Sequence, residues 1–283
     1  MISEKIVSNL GRSSWIRAMF EEGAKLAQKV GADNVYDFSL GNPYAEPPAE
    51  VIESLKKHVM GDEKGLHRYM NNAGYPEVRE KIAKSLQKSS GVKLSQQNIV
   101  MTVGAAGGLN VVLKSILNPG EEVIVFAPYF VEYSFYADNH GGRIVVVPPD
   151  ISTFEPDLKA FEDAITIKTK AVIINNPNNP TGVIYSEEKV AAIAQIIERK
   201  ENKYGISIFI ISDEPYAEIV YDQANVPSIL ANFKNGILVN SFSKSLGLAG
   251  ERIGYIAVSS KIENVELLIN ALSFSNRRSE EHT

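Results

Sequence analysis

Cysteine is absent from the 283-residue chain, which excludes disulfides, thiolate nucleophiles and cysteine-ligated metals. Only four histidines occur, and they are scattered without the spacing of metal ligands, so no metal site is predicted. No apolar run is long enough to span a bilayer. The first fifteen residues lack the apolar core of a signal peptide, so the sequence predicts a cytoplasmic protein without a membrane segment.

An excess of charge of one sign is also lacking, since 29 lysines and arginines stand against 34 aspartates and glutamates and the formal net charge is −5. No stretch of the sequence is basic enough to indicate a nucleic-acid-binding surface, so no nucleic-acid partner is predicted. The 44% hydrophobic and 22% charged residues are typical of a soluble globular protein with a sizeable core. The length suits one large domain together with a smaller lobe.

Short apolar runs alternate with helical segments from residue 98 onward. The runs predicted as strands are NIVMTV (98–103), EVIVFAP (122–128), RIVVVP (143–148), KAVIINNP (170–177), SIFIISDEP (207–215) and GILVNSFSK (236–244), the last clear strand. This alternation predicts a three-layer α/β/α fold with a mostly parallel sheet. Before it, the spacing predicts helices ending near Gly31 and over 49–60 and 76–89. We assign residues 1–45 to a smaller lobe and 46–283 to the large domain.

Polar or aromatic residues follow five of these strands, where a parallel sheet opens to a ligand. GAAGG (104–108) begins a helix, and it is either a phosphate-binding site or a tight turn from strand to helix. Asp213 ends a buried strand, where a carboxylate needs a salt bridge or a cationic ligand group, and Tyr216 follows it. In NNPNNPTG (175–182) the prolines restrict the backbone of Asn176 and Asn179. The side chains of these two residues either hydrogen-bond to a ligand oxygen or belong to a plain loop.

Lys244 and Arg252 lie in NSFSKSLGLAGERIGY (240–255), where two nearby cations call for an anion between them. A lysine beside another cation in a dry pocket has a lowered pKa and can form a Schiff base, while arginine suits a phosphate or carboxylate. Surface charge is the alternative, but it gives no reason for the serines or for the three glycines that would let the backbone approach a ligand. These parts together suit pyridoxal 5′-phosphate.

Several motifs then carry a family resemblance. SFSKSLGLAGERIG, NNPNNPTG and SDEPY resemble the signatures of class I and II aminotransferases, which are fold-type-I pyridoxal-phosphate enzymes. YMNNAGYPEVRE, PGEEVIVFAPYF and FSLGNP match as well, so the resemblance extends from about Phe38 onward. It implies a homodimer that moves an amino group between an α-amino acid and an α-keto acid.

The resemblance also implies a role for individual residues. Lys244 resembles the lysine that forms the Schiff base and moves a proton, and Asp213 resembles the carboxylate that keeps the pyridine nitrogen protonated. The other implied contacts are Tyr216 and Asn179 at the phenolic oxygen, Ala105, Ala106, Ser241, Ser243 and Arg252 at the phosphate, Phe130 on the ring face, Tyr69 at the partner subunit's phosphate, and Gly41 and Asn179 at the substrate.

Two departures from the family pattern affect these expectations. Ala106 stands where many members have a hydroxyl residue, which removes one phosphate contact. The tail NRRSEEHT lacks the apolar period of a continuing helix, so a C-terminal subdomain with the substrate-carboxylate arginine is expected to be missing. The alternatives are therefore a β-eliminating lyase on the same fold and a non-catalytic pyridoxal-phosphate-binding fragment. A dinucleotide-binding domain is less favoured, because no acidic ribose-binding residue is evident.

Overall fold

The computed structural model of the chain describes residues 2–36, 41–62, 64–65 and 67–280, and of 11–18, 20, 279 and 280 it describes the backbone only. The chain divides into two compact units, Met1–Tyr44 and Ala45–Thr283, which are described separately. No helix within the described ranges is long and apolar enough to cross a bilayer.

The first unit contains one long helix, α1 (Glu4–Val30), followed by a 3-10 turn at Ala32–Asn34. Gly31 ends α1 with a positive φ of 88°, and its N–H donates to the carbonyl oxygen of Ala27. The predicted helix end near Gly31 is confirmed. Met19, Leu26 and Val30 are exposed on α1, so these apolar side chains are not buried within this unit. Its assignment to a smaller lobe stays a prediction.

The second unit alternates strands with helices. In chain order its elements are α2 (Ala49–Met60), α3 (Pro76–Ser90), β1 (Ile99–Val103), α4 (Gly104–Ile116), β2 (Glu122–Phe126), α5 (Glu132–Asn139), β3 (Arg143–Val147), α6 (Leu158–Ala164), β4 (Thr169–Asn175), α7 (Glu187–Tyr204), β5 (Phe209–Asp213), α8 (Ile229–Asn232), β6 (Gly236–Ser241), α9 (Phe242–Ser245), β7 (Ile253–Val258) and α10 (Val265–Glu280). All six predicted strands are confirmed.

The strands of the described chain form one seven-stranded sheet in the order β1-β7-β6-β5-β4-β2-β3. The pairs β2–β3, β2–β4, β4–β5 and β5–β6 are parallel. Strand β7 is antiparallel to both β6 and β1, so β1 runs in the same direction as β6. The carboxyl ends of β1 to β6 therefore meet at one edge of the sheet, and only β7 ends at the opposite edge.

The prediction that GILVNSFSK is the last clear strand is wrong, because β7 follows it. An antiparallel neighbour needs no crossover helix, and only the short α9 and a turn separate β7 from β6. The prediction relied on strands that alternate with long helices. The helix between β6 and β7 is short, so this pattern does not predict the strand.

The core has two halves, one on each face of the sheet. Val123 and Val125 pack with α4 and α10 on one face, while Ile124 and Phe126 pack with α6 and α7 on the other. Successive strand residues point to opposite faces, so both faces of β2 are buried. The predicted three-layer fold is confirmed.

The expectation that the polar tail does not continue a helix is wrong, because α10 continues through the polar sequence NRRSE to Glu280. Ser115 Oγ donates to Ser275 Oγ at 2.9 Å. The side chain of Asn276 is buried and donates to the carbonyl oxygen of Met101 at 3.0 Å. These hydrogen bonds hold the last turns of α10 against α4 and β1, so the helix does not need an apolar period there.

Candidate active site

The candidate site lies at the edge of the sheet where β1 to β6 end. Asn175 on β4, Asp213 on β5 and Val239 on β6 are aligned across neighbouring strands. The chain then enters α9, which carries Lys244, immediately after β6. Three of the predicted polar clusters, NNPNNPTG, SDEPY and NSFSK, are therefore brought together by adjacent strands.

Asp213 is buried, with 5% of its surface exposed. The hydroxyl of Tyr133 donates to its Oδ2 at 2.6 Å, whereas Oδ1 has no hydrogen-bond partner among the described residues. Burial raises the pKa of Asp213 to about 6, and the Tyr133 hydrogen bond opposes this rise. An unpaired buried oxygen costs about 1–3 kcal/mol, so this site is completed by a donor, and a protonated ring nitrogen is one that fits.

Tyr133 is a site residue that the sequence analysis missed. It is 1% exposed and meets the ring of Phe130 edge to face, with centroids 5.6 Å apart. Burial, and then the nearby Asp213, raise its pKa well above the usual value, so Tyr133 keeps its proton as a donor. Tyr133 lies in the first turn of α5, and Phe130 precedes that helix, so the available signal was only their spacing of three residues in the sequence.

Asn179 and Tyr216 come together as the motifs predicted. Asn179 Nδ2 donates to the Tyr216 hydroxyl at 3.4 Å. Burial and then Asp213 raise the pKa of Tyr216, while the Asn179 contact lowers it. For Asn176 the structure favours the alternative of a plain loop, because its side chain is 1% exposed and its Oδ1 accepts the backbone N–H of Tyr185 at 2.9 Å.

The start of α4 carries the predicted phosphate contacts Ala105 and Ala106. No side chain caps this helix end, so its first backbone N–H groups remain open to an anion. Gly104 has a positive φ of 69°, and a Cβ on it would lie 2.9 Å from Arg252 Nη2. The guanidinium of Arg252 therefore lies against the helix start, which concentrates positive charge there.

The glycines near Arg252 do not all share the predicted role of approaching a ligand. A Cβ on Gly254 would lie 2.6 Å from the carbonyl carbon of Gly104 and 2.7 Å from the carbonyl oxygen of Asn240. Gly254 is thus required by protein backbone, whereas Gly250 faces open space and has no such requirement.

Lys244 is half-buried on α9, and burial of its amine lowers its pKa. A neighbouring cation is not the cause, contrary to the sequence-based interpretation. Ser241 and Ser243 both precede Lys244 in the chain, and both are buried. A lowered lysine pKa raises the fraction of neutral amine, which is the nucleophilic form.

Tyr136 is a further residue that the sequence analysis did not single out. Its pKa is raised by burial, raised by Asp213 and lowered by Arg252. Tyr136 therefore lies within electrostatic reach of both the carboxylate and the guanidinium, which places these two charges in one region.

For two further residues the predicted contact stays a prediction. The Tyr69 side chain is fully exposed and lines a groove of about 910 Å³ whose wall also includes Arg252 and Ile253. Gly41 belongs to the first unit, so its predicted substrate contact stays a prediction. In the FSLGNP motif, residues 38–40 lie outside the described residues.

The described side chains include no cluster of three His, Asp or Glu residues suited to a metal ion. The second unit is thus a mostly parallel α/β sheet with a buried half-paired carboxylate, a lysine whose pKa is lowered by burial, and an arginine at a helix start along one edge. This is the class of α/β protein whose sheet edge is suited to an anionic ligand that also carries a cationic group.

Comparison with known proteins identifies the family. The model of the family "Aminotransferase class I and II" matches residues 33–278. The chain therefore belongs to the class I and II aminotransferase family, and the resemblance seen in the motifs is confirmed.

Individual relatives agree with this assignment. The aspartate aminotransferase of Pyrococcus horikoshii is 32% identical over 92% of this chain and 63% of its own length. The probable aspartate/prephenate aminotransferase of Aquifex aeolicus is 36% identical over 89% of this chain and 63% of its own. The chain thus spans less than two thirds of either relative.

A solved structure supports the fold. An aminotransferase from Eubacterium rectale superposes with a TM-score of 0.93 and 39% identity, covering 99% of this chain and 71% of that one. The fold is therefore that of the fold-type-I transferases, whose cofactor in this family is pyridoxal phosphate. Three features of the site fit that cofactor: the unpaired Oδ1 of Asp213, the uncapped start of α4 beside Arg252, and the amine of Lys244.

Proposed function

We propose that the protein is a pyridoxal-phosphate-dependent aminotransferase, which moves an amino group between an α-amino acid and an α-keto acid. The observation that carries this proposal is the carboxyl group of Asp213. It is buried and held by Tyr133 at Oδ2, and its Oδ1 has no partner among the described residues. A carboxylate in that state is poised to keep a proton on a ring nitrogen.

When bound, pyridoxal phosphate supplies an aldehyde and a ring that withdraws electrons from the substrate's α-carbon. Asp213 keeps the ring nitrogen protonated through Oδ1. Asn179 Nδ2 and the Tyr216 hydroxyl hold the phenolic oxygen, and Phe130 covers one ring face. Ser241, Ser243, Arg252 and the N–H groups of Ala105 and Ala106 bind the phosphate.

Lys244 has two tasks in this proposal. Its amine would hold the aldehyde carbon of the cofactor, and burial favours the neutral, nucleophilic form by lowering its pKa. With substrate bound, Nζ would move a proton between the substrate's α-carbon and C4′ of the cofactor, which is general acid–base catalysis worth about 10²–10⁴-fold.

A homodimer is part of the proposal. A fully exposed Tyr69 has no packing role in its own subunit, and the groove that it shares with Arg252 has a volume of about 910 Å³, which leaves room for side chains of a second copy. Tyr69 of that copy then reaches the phosphate beside Arg252. The cytoplasmic location expected from the sequence stays a prediction.

The test adds pyridoxal phosphate to the purified chain and follows the visible absorption band of the lysine-bound cofactor. We expect the band in the wild type and in the control Lys168→Ala, whose lysine is exposed, and its loss in Lys244→Ala. An unchanged band in Lys244→Ala contradicts the assignment of Lys244.

Substrates are then added singly, with aspartate first because relatives are named for it. Conversion of the band to that of the aminated cofactor, reversed by a keto acid, supports amino transfer. Release of pyruvate and ammonia from a β-substituted amino acid indicates the lyase instead. A cofactor band that no amino acid changes indicates a non-catalytic binding protein.

A further inference from the structure

Asn175 ends β4 at the point where the parallel pairing of β4 with β5 also ends, opposite Asp213. Beyond this pair the two backbones leave the sheet, so the ladder of backbone hydrogen bonds no longer fixes their separation. Asn175 is 5% exposed. Its side chain is therefore a buried polar group at the beginning of the loop that carries Asn179.

Both Nδ2 and Oδ1 of the Asn175 side chain make hydrogen bonds. Nδ2 donates to the backbone carbonyl oxygen of Asp213 at 2.8 Å. Oδ1 accepts the backbone N–H of Asn179 at 2.6 Å. One planar side chain thus links the backbones of two residues that face the proposed ligand, and it replaces the missing ladder contact between their strands.

We infer that Asn175 is a positioning residue for cofactor binding: it fixes the spacing between the carboxylate of Asp213 and the amide of Asn179. The inference rests on the proposed function, in which these two groups contact one rigid ring at its nitrogen and its phenolic oxygen. A rigid ring fits both contacts only when their separation is correct. Asn175 sets that separation without touching the ring.

The chemistry of position 175 admits few substitutes. Aspartate keeps an acceptor for the Asn179 N–H, but it loses the donor and places a carboxylate against the carbonyl oxygen of Asp213. Leucine has a similar size and makes neither contact, so it leaves both backbone groups without their partner.

The adjacent Asn176 provides a matched control. It is 1% exposed, and its Oδ1 accepts the N–H of Tyr185, while its Nδ2 has no partner among the described residues. Asn176→Leu thus leaves one buried backbone N–H unpaired, as Asn175→Leu does at Asn179. The Asn176 side chain makes no hydrogen bond to Asn179 or Asp213 among the described residues, so this variant reports the structural cost of a lost buried hydrogen bond.

The experiment measures urea unfolding without cofactor, the Kd for pyridoxal phosphate and the spectrum of the bound cofactor at one fixed pH. We expect Asn175→Leu to weaken cofactor binding at least about tenfold, which is about 1.4 kcal/mol. Its spectrum should change in the same direction as that of Asn179→Ala. Asn176→Leu should lose comparable stability while its Kd stays within about twofold of the wild type.

A double-mutant cycle separates positioning from general damage. If Asn175 acts partly through Asn179, Asn175→Leu costs less affinity in an Asn179→Ala background than in the wild type. Asn175→Asp keeps one contact and should give an intermediate Kd, which provides a readout if the leucine variant does not fold.

Equal Kd values for wild type, Asn175→Leu and Asn175→Asp would overturn the inference, and so would strictly additive effects in the cycle. A wild type that binds no pyridoxal phosphate would overturn the proposed function and this inference with it. Wild-type binding that survives the Asn175 changes would overturn this inference alone.

Discussion

Asp213 makes folding stability depend on pH in the absence of cofactor, and Asp213→Asn should remove that dependence. Burial raises its pKa from 3.8 to about 6 in the folded chain. Between these values the folded chain holds a proton that the unfolded chain has released, so stability present below pH 4 is lost as pH rises through about 6. About two pH units correspond to about 3 kcal/mol.

The assay is urea unfolding followed by circular dichroism at several pH values between 4 and 7, for the wild type and for Asp213→Asn. The free energy of unfolding of the wild type minus that of the variant should fall by up to about 3 kcal/mol across this range. The variant's own constant cost, from a buried amide hydrogen without an acceptor, cancels in this slope. A difference that stays flat with pH would refute the reasoning.

Other titratable groups lie near Asp213, and their protonation states across this pH range affect the test. Tyr133, Tyr136 and Tyr216 all have raised pKa values, so they stay protonated throughout. Glu214 has a pKa raised by burial to about 7, but it is present in both proteins and affects the difference only through its coupling to Asp213.

Tyr133→Phe extends the same experiment. Its hydroxyl lowers the pKa of Asp213, so removing it should raise that pKa further and move the upper end of the pH window above 6, while the ring still packs on Phe130. A window that stays in place would show that the hydrogen bond does not stabilise the charged carboxylate.

Two other predictions concern packing and assembly. Gly254→Ala should destabilise the fold by at least about 1–3 kcal/mol in urea unfolding, because its Cβ would collide with backbone of Gly104 and Asn240. Gly250→Ala, which faces open space, is the control, and equal stability of the two variants would contradict the clash. In sedimentation, the 31.1-kDa chain should have twice that mass. Met70→Asp in the groove beside Tyr69 should shift it to the monomer, and a wild-type monomer would refute the dimer.

Local patterns in the sequence were sufficient to predict the parallel part of the fold. Strands such as β2 and β4 are short apolar runs between helices because both of their faces are buried, and this pattern is visible in the residues alone. The polar loops after these strands could also be located in the sequence, because each loop begins where the apolar run ends.

Contacts between distant residues were not predictable in this way. The hydrogen bond from Tyr133 to Asp213 joins residues 80 apart in the chain, and Asn175 reaches the Asp213 carbonyl across 38 residues. Helix α10 was missed beyond its apolar part because Asn276 is held by a hydrogen bond to Met101, 175 residues away. A polar residue anchored by a remote carbonyl looks the same in a sequence as one in solvent.

The antiparallel strand β7 explains how Arg252 reaches the start of α4 although it follows Lys244 in the chain. Arg252 immediately precedes β7, and Gly254 packs directly on the backbone of Gly104. Because β7 lies between β6 and β1, it joins the strand that leads to Lys244 with the strand that leads to α4. A parallel strand in that place would begin at the opposite edge, far from both. The reversal therefore brings the guanidinium to the open helix start, where a bound anion would interact with both positive groups.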